Sequence, residues 1–105
     1  MVNRDPRYFL IQKMIEKGDV KSFNDIVEGG FVPRTIIATD LGMKVTRFNE
    51  FLRKTELFTM EQILLIGSWC ELEAKVILTL WNNQLYKQKG MFFEMQSLTN
   101  VKNLK

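Results

Sequence analysis

Apolar residues recur every three to four positions along most of the chain, which is the spacing of one face of an α-helix. The periodic stretches are separated by glycines, prolines and short polar residues. No stretch shows the alternation of apolar and polar residues that is typical of a strand. The sequence therefore predicts an all-α protein, with helical segments at about 7–17, 22–28, 33–41, 45–54, 59–69, 72–87 and 91–105.

Short polar residues and a proline mark where several of these helices begin. Asp5 is the predicted N-cap of the first helix, with Pro6 in its first turn. Ser22 is the predicted N-cap of the second helix. Thr59, followed by Gln62 three residues later, predicts a capping box at the start of the fifth helix. Residues 54–58, which precede Thr59, are expected to form a loop.

Two helical patterns flank a Leu-Gly-Met break in segment 32–52. Gly42 lies where the first of these helices must stop and the chain turn, because only glycine takes a positive φ without steric cost. Ala38, four residues earlier, is small enough for the second helix to cross close to the first. Two packed helices joined by so short a turn are the basis of helix-turn-helix recognition of DNA.

Segment 32–77 resembles the lambda-repressor-like helix-turn-helix family, of the phage repressor and Cro type. Leu41-Gly42-Met43 matches the Leu-Gly-Val turn of that family. The other matching positions are Val32, Ile37, Ala38, Phe48, Phe51, Thr59, Ile63, Leu64, Ile66, Leu72 and Ile77. The resemblance implies a single domain, 1–105, with a lambda-repressor-like core at 22–80. Residues 1–21 would add an amino-terminal helix, and residues 81–105 a carboxy-terminal helical extension.

The same resemblance implies which residues contact DNA. Those at base-reading positions are Val45, Thr46, Arg47 and Glu50, with Asn49 beside them. Those placed to contact phosphate are Arg34, Lys44, Arg53 and Lys54. An arginine suits a phosphate through its forked donors. Five basic and two acidic residues lie between Arg34 and Lys54, a net charge of +3 that equals the excess of the whole chain.

Two residues depart from the pattern of the family. Lys44 stands at the N-cap of the recognition helix, which is normally Ser or Thr, and it has no side-chain acceptor for the amides of the first turn. A phosphate would relieve that conflict, since it accepts those amides and pairs with the lysine. Val45 replaces a frequent glutamine and can only touch a thymine methyl group. Direct base readout would then depend mainly on Thr46 and Arg47, with Glu50 accepting from cytosine.

Composition excludes several kinds of chemistry. The chain has one cysteine and no histidine, which excludes the usual zinc sites, the Ser-His-Asp triad and the Cys-His pair. Cys70 is expected to be a small buried apolar side chain. A net charge of +3 and a pI of about 9.1 permit polyanion binding without implying it. We therefore expect a non-enzymatic protein with no metal and no cofactor.

The same residue counts also predict the cellular compartment. A lone cysteine suits a reducing environment, and no long apolar run precedes Gln12, so no signal peptide is predicted. The longest apolar runs, such as 63–66 and 76–81, are too short to span a bilayer. A cytoplasmic protein without a membrane partner is expected.

The long helix at 72–87 carries an apolar arc wider than one small domain usually covers. Two neighbouring rows form it, and their members are Leu72, Val76 and Leu80 in one and Ile77, Trp81 and Leu85 in the other. The amino-terminal helix can cover this arc within one chain. We favour instead a homodimer through the carboxy-terminal helices, which would let two recognition helices meet half-sites about 34 Å apart.

The leading function is therefore sequence-specific or semi-specific binding of double-stranded DNA by a transcriptional regulator of the phage-repressor type. The alternative is a non-enzymatic protein-protein interaction module on a helix-turn-helix scaffold. The charge distribution separates the two hypotheses. DNA binding requires a continuous positive face, whereas carboxylates that interrupt it favour the interaction module; the three acids in question are Asp40, Glu50 and Glu56.

Overall fold

The computed structural model describes residues 4–90, and over that range it contains six α-helices and two 3₁₀ turns but no strand. The helices are α1 (Leu10–Glu16), α2 (Asp25–Glu28), α3 (Arg34–Leu41), α4 (Val45–Arg53), α5 (Met60–Trp69) and α6 (Ala74–Lys89). The 3₁₀ turns are Pro6–Phe9 and Thr55–Leu57. The all-α prediction is confirmed. The helical pattern predicted at 91–105, carried by Phe92, Met95, Leu98 and Val101, lies outside the described residues.

The predicted capping box of α5 is confirmed, whereas the predicted first helix begins as a 3₁₀ turn: Asp5 caps Pro6–Phe9, and α1 starts only at Leu10. The carboxylate of Asp5 accepts from the backbone N–H of Arg7 at 2.9 Å. At the start of α5 the Gln62 N–H donates to the Thr59 hydroxyl at 3.1 Å, and the Thr59 N–H donates to the Gln62 amide oxygen at 2.9 Å. Each bond satisfies an amide that the helix itself leaves without a partner.

Two predicted boundaries are wrong. Ser22 does not cap α2, which begins three residues later; instead the Asp25 carboxylate accepts from the amide of Ser22 at 3.1 Å and closes the turn before the helix. The long helix begins at Ala74 rather than at residue 72. The Leu72 N–H donates to the Gly67 carbonyl at 2.9 Å, so Leu72 ends α5 instead of starting α6.

A buried aromatic cluster joins the segment before α2, helix α4 and the segment before α5. The ring of Phe58 lies 5.2 Å from that of Phe23, 6.0 Å from that of Phe48 and 5.1 Å from that of Phe51, centroid to centroid. All three contacts have an edge-to-face character, which aromatic rings prefer. The aromatic residues predicted to lie in the core, Phe23, Phe48, Phe51, Trp69 and Trp81, are all buried.

Helices α5 and α6 pack closely, with Gly67 at their contact. A methyl group on Gly67 would come within 2.6 Å of the Ile77 side chain, so glycine is required there by close approach rather than by its φ. Nearby, the indole N–H of Trp81 donates to the Thr55 carbonyl at 2.8 Å. This second contact attaches α6 to the 3₁₀ turn that follows α4, so that the position of α4 depends on α6.

The apolar arc of α6 is largely covered within the chain. Its central members are buried, namely Ile77, Leu80, Trp81 and Leu85, whereas Leu72 and Val76 are half-buried beside Ile15 of α1. The amino-terminal segment also packs on the core through Tyr8, whose hydroxyl donates to Asp40 at 2.7 Å. The arc therefore does not by itself call for a second copy of the chain.

Candidate nucleic-acid interface

The turn between α3 and α4 has the geometry expected from its glycine. Gly42 takes a φ of 76°, in the left-handed region. The Met43 N–H donates to the Ala38 carbonyl at 2.9 Å, and the Gly42 N–H donates to the Thr39 carbonyl at 3.0 Å. This pair of bonds ends α3 and turns the chain into α4 within three residues. Ala38 is buried, as its small size at the crossing predicts.

Helix α4 has one buried and one exposed face. Phe48, Phe51 and Leu52 point into the core, and Phe48 and Phe51 reach the ring of Phe58. The side chains on the opposite face are not covered by any other described part of the chain. Of the nine predicted DNA-binding residues, the exposed ones are Arg34, Lys44, Thr46, Arg47, Glu50, Arg53 and Lys54, and the half-buried ones are Val45 and Asn49.

A hydrogen bond connects the start of α3 to the middle of α4. The Arg34 guanidinium donates from Nη1 to the side-chain oxygen of Asn49 at 2.9 Å. Asn49 is a neutral partner, so it orients the guanidinium without cancelling its charge. The remaining donors of the Arg34 fork are therefore held at the edge of α4, where an anion with several acceptor oxygens suits them.

Arg47 lies along its own helix. The guanidinium carbon is 5.3 Å from the ring centroid of Phe51, one turn further on, which is a cation–π contact. At an exposed site such a contact is worth about 0.5–1 kcal/mol. To reach a base edge, Arg47 must leave this ring, and that energy is the cost of the movement.

Lys44 leaves the amino-terminal end of α4 without a side-chain cap. Its backbone has the extended conformation of an N-cap, with φ of −71° and ψ of 148°, but no side chain accepts a hydrogen bond from the first turn. The positive end of the helix therefore lies next to an exposed ammonium group. Both features favour an anion at this end of α4.

The three acids expected to interrupt a positive face differ in their surroundings. Asp40 accepts from the Tyr8 hydroxyl and forms an ion pair with Arg4 at 3.6 Å. Glu56 forms an ion pair with Lys89 at 3.5 Å. Glu50 is exposed on α4 and, within residues 4–90, has no ion pair. One uncompensated carboxylate thus remains among the cations of α4.

Sequence reasoning missed residues of α6 that lie beside α4. A groove of about 520 Å³ runs between α2, α4 and the last turns of α6, and its lining includes Arg34, Asn49 and Arg53 from the predicted set and Gln84, Lys87 and Gln88 from α6. More than thirty residues of chain separate Arg53 from Lys87. Helical periodicity gives no information about such a shared groove, because it depends on where the folded chain places α6 relative to α4.

Other kinds of site receive no support from the described part of the chain. Cys70 is buried, and its burial raises the pKa of the thiol to about 12, which fits the predicted apolar role. Residues 4–90 contain no group of three or more side chains able to hold a metal ion. No helix in that range combines the length and the apolar character needed to cross a bilayer.

Comparison of the chain with protein-family models, with curated proteins and with solved structures gave no match. The resemblance to the lambda-repressor-like family therefore rests on the residues of segment 32–77 alone.

Proposed function

We propose that this protein binds double-stranded DNA through α4 and acts as a transcriptional regulator of the phage-repressor type, with a lambda-repressor-like arrangement of its helices. The observation that carries the proposal is the exposed face of α4. That face is uncovered in the described chain, and five cations lie on it or at its edges: Arg34, Lys44, Arg47, Arg53 and Lys54.

The division of labour follows from side-chain chemistry. Lys44 at the amino-terminal end of α4 and Arg34 beside Asn49 in its middle suit phosphates, while Arg53 and Lys54 extend the cationic edge at the carboxy-terminal end of α4. Thr46 and Arg47 offer donors to base edges in the major groove, and Val45 offers a methyl contact to thymine. Glu50 can only accept, which restricts it to a cytosine amino group.

The decisive experiment is selection of bound duplexes from a random pool by the full chain at two ionic strengths. A regulator should enrich a common half-site at both. Affinity should fall steeply with salt, because each neutralised phosphate contributes about −0.9 to the slope of log K against log salt. The four phosphate-contacting cations of the α3–α4 unit contribute about −3.6 to this slope per chain, one phosphate each. Failure to bind any duplex at low salt contradicts the proposal.

Replacement of Arg34 by glutamine should weaken binding to all duplexes by a similar factor and make the salt slope about 0.9 less steep, since a phosphate contact carries no base information. Fluorescence anisotropy with several duplexes measures both quantities. Lys13→Gln is the matched control, because Lys13 is exposed on α1 and the charge change is the same. A changed order of preference among the duplexes would instead assign Arg34 to base readout.

The homodimer is a second part of the proposal. Since the core of the α6 arc is buried within one chain, a dimer would use the apolar surface that remains exposed and the segment 91–105, which contains Phe92, Phe93 and Met95. Sedimentation of the unchanged protein at tens of micromolar tests this part. A monomer at that concentration would contradict the homodimer. Each bound protein would then present one recognition helix, and the selected sites would not occur as pairs at a fixed spacing.

One observation favours the interaction module as a second candidate. Leu57, Met60 and Leu65, on or next to α5, are each about two-fifths exposed: 42%, 39% and 42% respectively. Exposed apolar side chains of this size mark protein contacts when they form one patch. The duplex selection distinguishes the two functions, because an interaction module should bind no duplex with a steep salt dependence.

A further inference from the structure

The groove between α4 and α6 gathers cations from three helices. Arg34 comes from the start of α3, Arg53 from the end of α4 and Lys87 from the last turn of α6. Glu28 of α2 is the only acidic residue in the described lining, so the formal charge of the groove is +2. Within residues 4–90 none of the three cations forms an ion pair.

Buried amide side chains hold the groove in shape. The Leu52 carbonyl, near the end of α4, accepts from the side-chain amides of Asn24 and Gln88, both at 2.8 Å. The Asn24 N–H donates in turn to the Gln84 side chain at 2.9 Å. Asn24 and Gln84 are only 4% and 5% exposed. This network attaches the end of α4 to α6, so residues of both helices line the same groove.

Lys87 lies at the rim of this surface. It is exposed, and its ammonium group is 3.4 Å from the Ser22 hydroxyl, which is long for a charged hydrogen bond. Gln84 and Gln88 share its side of α6, and both line the same groove. A flexible lysine with so weak a partner is free to turn toward an anion that enters the groove.

We propose that this groove binds a phosphate of the DNA backbone, and that Lys87 of α6 is a phosphate contact outside the α3–α4 unit. The inference rests on the proposed function, because the groove shares Asn49 and Arg53 with the DNA-facing helix. A phosphodiester suits the lining: its oxygens accept from Lys87, while Arg34 and Arg53 contact the neighbouring phosphates of the same strand, so that each cation neutralises its own phosphate. The groove volume of about 520 Å³ also leaves room for the attached sugar.

The test compares Lys87→Gln with Lys75→Gln by anisotropy of a labelled duplex over a range of salt concentrations. Lys75 is exposed at the opposite end of the same helix, so it controls for net charge and helix propensity. K87Q should make the salt slope about 0.9 less steep. When the salt concentration rises from about 50 to about 200 mM, the factor by which the affinity of K87Q falls should then be about 3.5 times smaller than for the unchanged protein. K75Q should keep the original slope.

Glu28 supplies a second variant of opposite sign. Its removal by Glu28→Gln should strengthen duplex binding, because a carboxylate in the groove repels the phosphate. Glu16→Gln, at an exposed position of α1, makes the same charge change away from the groove and should have the smaller effect. Equal effects of E28Q and E16Q would count against a phosphate in the groove.

The possible failures are distinguishable. If the unchanged protein binds DNA and R34Q weakens it, while K87Q behaves like K75Q, the contact from α6 is overturned and the proposed function stands. If no duplex binds, both are overturned. Titration of the protein with inorganic phosphate, followed by NMR of the arginine side chains, tests whether the groove binds free phosphate instead of a phosphate of DNA. Saturable shifts at Arg34 and Arg53, together with an unchanged duplex slope for K87Q, would make the groove a free-phosphate site and overturn the DNA contact.

Discussion

Replacement of Phe58 by alanine should remove about 3–5 kcal/mol of the unfolding free energy, the usual cost of truncating a buried phenylalanine. Phe58 is 3% exposed, and its ring contacts three other phenylalanine rings. Truncation removes those contacts and leaves a cavity that the neighbouring helices only partly fill. Urea unfolding, followed by the fluorescence of the buried tryptophans, measures the loss.

The control is Phe9→Ala, the same chemical change at a side chain that is 49% exposed. It should alter the unfolding free energy by no more than about 0.5 kcal/mol. A domain of this size has a total stability of about 5–15 kcal/mol, so F58A is expected to unfold at markedly lower urea. A loss below about 1 kcal/mol for F58A would contradict the central position of this ring.

The same variant connects folding with the proposed DNA binding. Phe58 is the residue on which Phe48 and Phe51 of α4 pack. Their burial is what directs the opposite face of α4 to solvent. F58A should therefore weaken duplex binding at temperatures where it is still folded, whereas Phe58→Leu, which refills part of the space, should restore much of both properties.

Replacement of Arg47 by alanine should cost about 1–3 kcal/mol of binding on the preferred duplex and much less on unrelated duplexes, as expected for a base-reading side chain. Arg47 is exposed on the outer face of α4. Its only described contact is the cation–π contact with Phe51, so the fold should lose at most about 1 kcal/mol. Anisotropy with a preferred and a scrambled duplex measures the difference.

Lysine at position 47 separates charge from geometry. Arg47→Lys keeps the positive charge and therefore the salt slope, but it loses the planar fork that pairs with guanine. It should retain binding to the scrambled duplex and lose preference. The contrary outcome is that neither variant changes the order of preference among the duplexes, each losing the same factor on all of them. Position 47 would then contribute affinity through shape and charge alone, without reading base edges.

Local signals in the chain were sufficient for most helix boundaries. The capping box at Thr59, the cap at Asp5 and the left-handed turn at Gly42 were predicted, because each depends on residues within four positions of one another. The error at Ser22 has a similarly local cause. When a serine and an aspartate lie three residues apart, either side chain can accept a hydrogen bond from the backbone of the other. Here the Asp25 carboxylate is the acceptor, and the amide and hydroxyl of Ser22 are the donors.

The candidate site was predicted only in part. The exposed face of α4 follows from its apolar spacing, since burial of Phe48 and Phe51 places Thr46 and Arg47 on the other side. The bond from Arg34 to Asn49 and the stacking of Arg47 on Phe51 were not predictable. Side-chain partners of long polar residues depend on distances of a few ångströms, which spacing along the chain does not define.

The sequence by itself determined the all-α class, the turn at Gly42 and the inward face of α4, because helix periodicity, capping and glycine φ are properties of neighbouring residues. The tertiary structure alone decided that α1 and the core cover much of the α6 arc, that Asp40 and Glu56 are paired with Arg4 and Lys89, and that Lys87 and Arg53 line the same groove. These depend on how helices far apart in the chain pack together, and that is set by the sum of many buried contacts rather than by any short pattern.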